Sequence, residues 1–403
     1  MKNWRMLMGD WRTVELEDLA APINHALSTG PFGSAISSQF FQTSGVPVIR
    51  GTNLSVEVGT RLNEREYVFI DEEKAKSFSR SVVQSGDLIF TCWGTVGQVG
   101  IIPSDPMYPK YVISNKQMKL TPDSSKIDPL YLYYYFSSPA AQQHLQSIAI
   151  GSSIPGFNLG QLRKFPVTLP SLVDQGATVR ILTALDGKIE HNSRVLSKIL
   201  DLGDALYRCS VSAESVMRPI DSIAVFHNKR RMPLSASERA EIAGNIPYYG
   251  ATGVLDYVNR PIFNEVLVLV GEDGSVIDDT ERPITQYIWG PAWINNHAHP
   301  LSGKNISTEL LYFILRASKI THLVTGAVQP KISMTNLKSH SVPVPIGGTI
   351  RYLQAQLAHL MTMYRSLKEE NQDLVILRNT LLPKLMDGTL TVRTAENLVS
   401  NVV

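Results

Sequence analysis

Two stretches of this chain place an apolar residue, or a rare substitute for one, at alternating spacings of three and four. The first runs through Leu182, Leu185, Ile189, Asn192, Leu196, Ile199, Gly203 and Leu206. The second runs through Leu353, Leu357, Leu360, Tyr364, Leu367, Asn371, Leu374, Arg378 and Leu381. A heptad seam of this kind is buried only against a facing helix. Each seam carries one asparagine, Asn192 and Asn371, where an apolar residue would be more stable. A lone seam asparagine fixes register and partner at some cost in stability. Matching length and matching interruption predict that the two helices pair with each other rather than packing separately on their own domains.

What precedes each helix is repeated as well. Gly151 to Pro170 reads GSSIPGFNLGQLRKFPVTLP, and Gly326 to Pro345 reads GAVQPKISMTNLKSHSVPVP. Without a gap, Gly151, Pro155, Leu162, Val167 and Pro170 fall on Gly326, Pro330, Leu337, Val342 and Pro345. Phe157 meets Ile332, Leu159 meets Met334 and Arg163 meets Lys338. Weaker echoes keep the same order in both halves. GVPVIRGTN at Gly45 to Asn53 matches NIPYYGATG at Asn245 to Gly253, sharing Pro47/Pro247 and Thr52/Thr252. GDLIFTCWGTVG at Gly86 to Gly97 matches EVLVLVGEDGSV at Glu265 to Val276. VISNKQMKL at Val112 to Leu120 matches WINNHAHPL at Trp293 to Leu301, and PLYLYYYF at Pro129 to Phe136 matches ELLYFIL at Glu309 to Leu315. An ordered set of matches predicts a duplication.

The expected architecture is therefore α+β and double. Residues 1–170 form a first head and 171–210 a long helical spacer. Residues 211–345 form a second head, 346–388 a second long helix, and 389–403 a tail. Short strands, Gly/Pro-rich turns and a few helices make up each head. The first helix leaves one head and enters the other, so antiparallel pairing predicts heads at opposite ends of a rod with a pseudo-twofold axis. Roughly 38 residues at about 1.5 Å each set the separation on the order of 55 Å.

Composition limits what such an object does. The longest clean apolar run, VLVLV at Val266 to Val270, suits a buried strand and not a membrane span. The start, MKNWRMLMGDW, lacks the apolar core of a signal peptide. Two cysteines, Cys92 and Cys209, fit a reducing compartment, and a cytoplasmic protein is expected. The net charge of +2 leaves nucleic acid neither favoured nor excluded. No phosphate-binding G-x-x-x-x-G-K-[ST] loop occurs, nor H-E-x-x-H, nor a paired C-x-x-C. PDSSK at Pro122 to Lys126, HAH at His297 to His299 and GEDGS at Gly271 to Ser275 read as polar turns before they read as nuclease, metal or acid–base sites. The missing motifs point to a binding subunit, with no catalytic residue and no metal.

Two related heads at fixed separation suit a periodic ligand. Duplex DNA repeats about every 34–36 Å, so heads on the order of 55 Å apart meet two short segments with unread base pairs between them. At this point the chain resembles the specificity subunit of type I restriction–modification enzymes: two target recognition domains, each followed by a long helix. The resemblance covers nearly the whole chain. Its most specific parts are GSSIPGFNLGQL, GAVQPKISMTNL and LLPKLMDGTL at Leu381 to Leu390, with VPVIRGTNL, GDLIFTCWGTVG and DALYRC at Asp204 to Cys209 in support. The second head departs more, with GEDGSV where the first has CWGTVG and NNHAHP where it has SNKQMK. The resemblance implies double-stranded DNA as a partner and an asymmetric bipartite target. It further implies two methyltransferase subunits docked along the helices and a translocase and nuclease subunit. S-adenosylmethionine, ATP and Mg2+ would be used by those partners, and no cofactor is implied for this chain.

DNA contacts are expected where Lys and Arg meet phosphates and where polar side chains reach base edges. In the first head the candidates are Thr91, Trp93 and Thr95 on a strand-to-turn exit, and Lys110, Asn115, Lys116, Gln117 and Lys119 in PKYVISNKQMK. Ser152, Ser153 and Asn158 follow in the repeated segment. In the second they are Lys229, Arg230 and Arg231 in HNKRR, Ser275, then Asn295, Asn296, His297 and His299, and finally Gln329 and Lys331. Two rival readings are a scaffold that organises other proteins through its heads and rod, and an enzyme using dispersed residues such as Asp87, Glu272 and the His297/His299 pair.

Overall fold

The computed structural model describes residues 11–151, 155–326 and 329–400. The chain divides into two compact units, cut between His191 and Asn192 and again between Glu370 and Asn371. Each unit therefore holds a head and a half of each long helix.

The first unit is built on two four-stranded sheets. One has the order Leu27–Thr29, Gln117–Leu120, Leu88–Thr91, Val99–Ile101 and is antiparallel throughout. The other has the order Val68–Ile70, Val46–Ile49, Tyr111–Ile113, Val82–Val83, with one parallel pair, Val48 beside Val112 and Ile49 beside Ile113. Short runs of β-branched and aromatic residues such as VPVI, LIFT and YVI favour these strands. Helix Pro129–Ser137 begins where the Asp128 side chain accepts from the Leu130 and Tyr131 amides and Pro129 fills the first helical position. It buries Tyr131, Leu132, Tyr134 and Phe136 against Leu88, Phe90, Met118 and Leu120, with the Phe90 and Phe136 rings edge-on at 4.9 Å. An antiparallel ribbon of Arg12–Glu15 with Pro166–Leu169 closes the unit.

The second unit repeats this plan. Its sheets have the orders Ala224–Phe226, Ala298–Gly303, Leu267–Gly271, Thr285–Ile288 and Val254–Val258, Ala243–Tyr249, Pro291–Ile294, Phe263–Asn264. The parallel pair recurs with Tyr248 beside Trp293 and Tyr249 beside Ile294. Helix Thr308–Ala317, capped by Ser307, takes the place of Pro129–Ser137, and Ser215–Pro219 pairs with Ser341–Pro345. The registers align Val48 with Tyr248 and Val112 with Trp293, as the matched segments predict. One match shifts. Met118 pairs with Phe90, and its counterpart His299 pairs with Val270. Cys92 therefore corresponds to Glu272, Trp93 to Asp273 and Gly94 to Gly274, one residue on from the ungapped reading.

The long helices run over Leu172–Ala213 and Gly347–Met386. In the first unit Leu182 and Leu185 share a core with Leu374, Leu381 and Leu385. Asn371 Nδ2 donates to the Ile189 carbonyl and Arg378 donates to Asp186, which fixes an antiparallel pairing there. In the second unit the Asn192 amide donates to Glu370 at 2.8 Å and Tyr207 donates to the Pro343 carbonyl at 2.7 Å, again antiparallel. The two non-apolar seam positions besides asparagine also have partners. A Cβ at Gly203 would lie 2.2 Å from the Phe313 ring, which fills that gap in the seam. Arg378 is buried and paired with Asp186, which also accepts from the Tyr134 hydroxyl at 2.5 Å. Among the described residues no helix is long and apolar enough to cross a membrane.

Candidate nucleic-acid interface

In the first unit three of the repeated segments meet at one end of a sheet. Strand Leu88–Thr91 runs into Cys92, whose amide donates to the Lys116 carbonyl at 2.9 Å. The Phe157 amide donates to the Cys92 carbonyl at 3.0 Å, and the Gly94 amide donates to Pro155 at 3.1 Å. Gly94 has φ of 90°, a left-handed conformation that glycine adopts without strain. The segments TCWGT, SNK and PGF are thus tied together by main-chain bonds. The first two of these, with a fourth segment, RGTN, line a cleft of about 660 Å3. Trp93, Thr95, Asn115 and Lys116 are in its wall together with Arg50 and Thr52.

The RGTN turn was not among the predicted contacts, although its repeat in NIPYYGATG marks it. Gln98 holds it, donating from Nε2 to the Gly51 and Leu54 carbonyls at 3.0 Å each. Gln98 Oε1 in turn accepts from the Thr91 hydroxyl at 3.0 Å, so Thr91 is buried support and not surface. Neither Arg50 nor Lys116 forms a salt bridge with a carboxylate among the described residues. Two cations, the Asn115 amide and an indole ring therefore share one concave surface.

Trp93 is 45% exposed, yet its ring is fixed. Its face lies on Gly156, where a Cβ would fall 2.2 Å from ring atom Cε3. Gly156 is itself clamped, exchanging both main-chain hydrogen bonds with Ile150.

Other predicted contacts of the first unit lie elsewhere. Gln117 is fully buried, its Oε1 accepting from the Ser114 amide. Lys119 is buried, donates to the Val82 carbonyl at 2.8 Å and lies 4.0 Å from Asp87. Burial draws the Lys119 amine below its ordinary range and pushes the Asp87 carboxyl up. Lys110 precedes the strand whose far end leads to Asn115, and pairs with Glu72 at 2.7 Å. Asn158 caps helix Leu159–Arg163, accepting from the Gln161 amide at 3.0 Å. Ser152 and Ser153 lie outside the described residues.

The second unit makes the same main-chain junction. The Glu272 amide donates to His297, Ile332 donates to Glu272 and Gly274 donates to Pro330, at 2.8, 2.8 and 3.0 Å. Gly274 repeats the left-handed turn with φ of 82°. The side chains differ, apart from the asparagine common to both, Asn115 and Asn296. Glu272 accepts from Arg231 at 2.5 Å and lies 3.3 Å from Lys331. Burial works to raise the Glu272 carboxyl, but hydrogen bonding and charge from Arg231, His299 and Lys331 hold it below its usual range. Arg231 also donates to the Asn296 and Ala298 carbonyls, so it is a brace. Arg230 is paired with Glu265 at 2.6 Å and lies over the Phe263 ring. Asn295 is buried and accepts from the His297 amide at 2.8 Å.

His299 is fully buried, as its place on strand Ala298–Gly303 requires. Its Nε2 donates to the Ile332 carbonyl at 2.8 Å and its Nδ1 accepts from the Asn228 amide at 2.7 Å. Burial lowers the pKa of the ring, against the opposing pull of the Ile332 carbonyl and of the Glu272 carboxylate at 3.4 Å. His297 is half exposed and meets Asp273 at 2.5 Å. Lys229, Ser275, Asn296, Gln329 and Lys331 remain at the surface. The structure thus corrects five predicted contacts, Thr91, Gln117, Lys119, Asn295 and His299. Each is enclosed by the fold; Thr91, Gln117, Asn295 and His299 brace the segments around the junction, and Lys119 is bonded to Val82 instead.

Residues 8–200 and 213–374 match the family model described as the type I restriction modification DNA specificity domain. A type I restriction enzyme specificity subunit of Haemophilus influenzae is 30% identical over 158 residues, 39% of this chain and 37% of that protein. The EcoBI specificity subunit of Escherichia coli is 29% identical over 111 residues, 28% of this chain and 23% of that protein. The matches span well under half the length of both curated relatives. The crystal structure of a type I restriction–modification S subunit from M. genitalium is similar in fold, with a TM-score of 0.57 and 16% identity over 93% of this chain and 96% of that one.

Proposed function

The chain belongs to the type I restriction–modification DNA specificity family, and from that premise we propose that its two units read the two halves of an asymmetric, bipartite duplex target. The observation that carries this reading is the shared junction. Both units tie the same three segments together by equivalent main-chain bonds around a shared asparagine, Asn115 and Asn296, yet present Trp93 and Lys116 in one and Asp273 and His297 in the other. A constant frame with unlike side chains is what reading two unlike sequences demands. Arg50 and Lys116 supply phosphate contacts, which position a duplex without selecting its sequence; Asn115, Thr95 and Trp93 are placed to meet base edges.

In this proposal the chain is non-catalytic and uses no cofactor. It works in the cytoplasm, directing adenine methylation by two methyltransferase subunits docked along the paired helices, and restriction by a translocase and nuclease subunit. S-adenosylmethionine, ATP and Mg2+ are used by those partners. The test is a genome-wide map of methylated adenines in the source cell, with and without this gene. Loss of one two-block motif with a fixed gap is expected. An unchanged map, with the methyltransferase shown to be expressed, overturns the reading.

A further inference from the structure

The turn after the central strand places Trp93 in one unit and Asp273 in the other at the same point of the frame. We propose that this position selects a base in each half-site: thymine through Trp93, and cytosine through Asp273. The inference rests on the DNA-reading function proposed above and assigns its chemistry.

The equivalence is fixed by hydrogen bonds. Trp93 follows Cys92, and Asp273 follows Glu272, the paired residues that bond Lys116 and Phe157 in one unit and His297 and Ile332 in the other. Each is followed by a left-handed glycine, and each forms an isolated antiparallel bridge, Trp93 with Gly156 and Asp273 with Lys331. The partner changes with the residue. Gly156 leaves room for a large ring, whereas the small Asp273 allows a lysine at the matching place. The two substitutions form one unit of change.

The ring is not there to build the core. Trp93 belongs to none of the buried clusters and keeps 45% of its surface exposed on the cleft. Its indole N–H makes no hydrogen bond among the described residues, so the group offers an apolar edge beside a free donor. Thymine is the base that presents an apolar methyl beside an acceptor, O4, in the major groove. Asp273 offers the opposite character. His297 Nδ1 engages Oδ1 at 2.5 Å, which leaves Oδ2 to accept. A carboxylate accepts from the cytosine N4 amino group and is repelled by the acceptors of guanine and thymine.

The test is a selection of bound duplexes from a randomised pool on the full-length chain with the subunits that co-purify with it. Wild type is expected to enrich two blocks. Trp93→Ala should relax one thymine position in one block and leave the other block intact. Replacing that thymine by uracil removes one methyl group. It should weaken wild-type binding roughly fourfold, the value of one buried methyl, and leave Trp93→Ala unaffected. Trp93→Phe, which keeps an apolar ring in the same place, should retain the sensitivity to uracil, and it decides the matter if the alanine variant is unfolded. Asp273→Asn should move one cytosine in the other block toward adenine, because a carboxamide both accepts and donates. Unchanged motifs in these variants, or relaxation at a base other than the one named, overturn the assignment while leaving the two-block reading standing. No enriched block in wild type overturns the DNA-reading function itself.

Discussion

The residue that most repays attention after Trp93 is Arg378, because it sits in a seam that otherwise wants leucine. Its guanidinium is 2.8 Å from Asp186, and both side chains are less than a tenth exposed. Tyr134 donates to the same carboxylate, and Arg61 donates to the Tyr134 hydroxyl at 3.3 Å. Asp186→Ala leaves a buried cation without its carboxylate and should destabilise the first unit by about 3–5 kcal/mol, whereas the double change Asp186→Leu with Arg378→Leu should recover most of that loss. Urea denaturation of the three chains, followed by exchange of amides in strand Leu88–Thr91, checks it; equal stability of the single and double variants would refute it. Arg378 was legible as a seam position, but not its partner, which comes from the facing helix. The buried polar residues were harder still. Strand Gln117–Leu120 is covered on both faces, so its Gln117 and Lys119 lack the alternation that would have sorted inside from outside. Read by residue type alone, an amide and an amine look like DNA contacts; read in place, they are internal braces.

At the scale of elements, what repeats with a long period was readable and what depends on strand pairing was not. The seams announced two long helices because a period of three and four persists over many turns, and the antiparallel bonds within each unit follow it. Strands of two to seven residues carry too little pattern to reveal sheet order. In each unit the parallel pair joins strands far apart in the chain, and the one-residue offset between CWGT and EDGS shows only in the ladder. Gly203 shows how a local rule yields to packing. Alanine is favoured over glycine in a helix interior by about 1 kcal/mol. Yet a Cβ there would lie 2.2 Å from the buried Phe313 ring, whose helix is packed on both sides. Overpacking costs about 1–3 kcal/mol, so Gly203→Ala should lower the stability of the second unit on balance. Phe313→Leu in the same chain should offset part of the loss. A double-mutant cycle by thermal unfolding measures the coupling, and additive effects would exclude it.

Across the whole molecule the two units share a frame and differ in how they hold charge, and acid separates them. His227, His299 and His340, the histidines whose pKa burial lowers, all lie in the second unit. His299 is the most enclosed, facing Glu272, Arg231 and Lys331 with its two nitrogens already committed to Ile332 and Asn228. An unfolded chain protonates these rings near the ordinary value of 6.5, whereas the folded unit takes up the proton only at lower pH. Below 6.5 the unfolded state therefore binds more protons. The stability contributed by the neutral rings is complete above that value and is lost as pH falls toward the folded pKa values. One buried carboxyl of the first unit responds in the other direction. Burial raises the Asp87 carboxyl, so its folded form takes up a proton before its unfolded form does, and acid relieves the cost of that buried charge. Hydrogen exchange corrected for its intrinsic pH dependence should show strands Leu267–Gly271 and Ala298–Gly303 losing protection between pH 7 and 5.5, while Leu88–Thr91 and Gln117–Leu120 hold theirs. His299→Gln should flatten the response of the second unit. Parallel loss of protection in both units would mean that the acid response is global and that the buried histidines do not govern it. If the second unit alone loosens, the half-site proposed for it is the one whose reading should fail first in acid, because the junction that presents Asp273 and His297 is anchored through His299 to the Ile332 carbonyl.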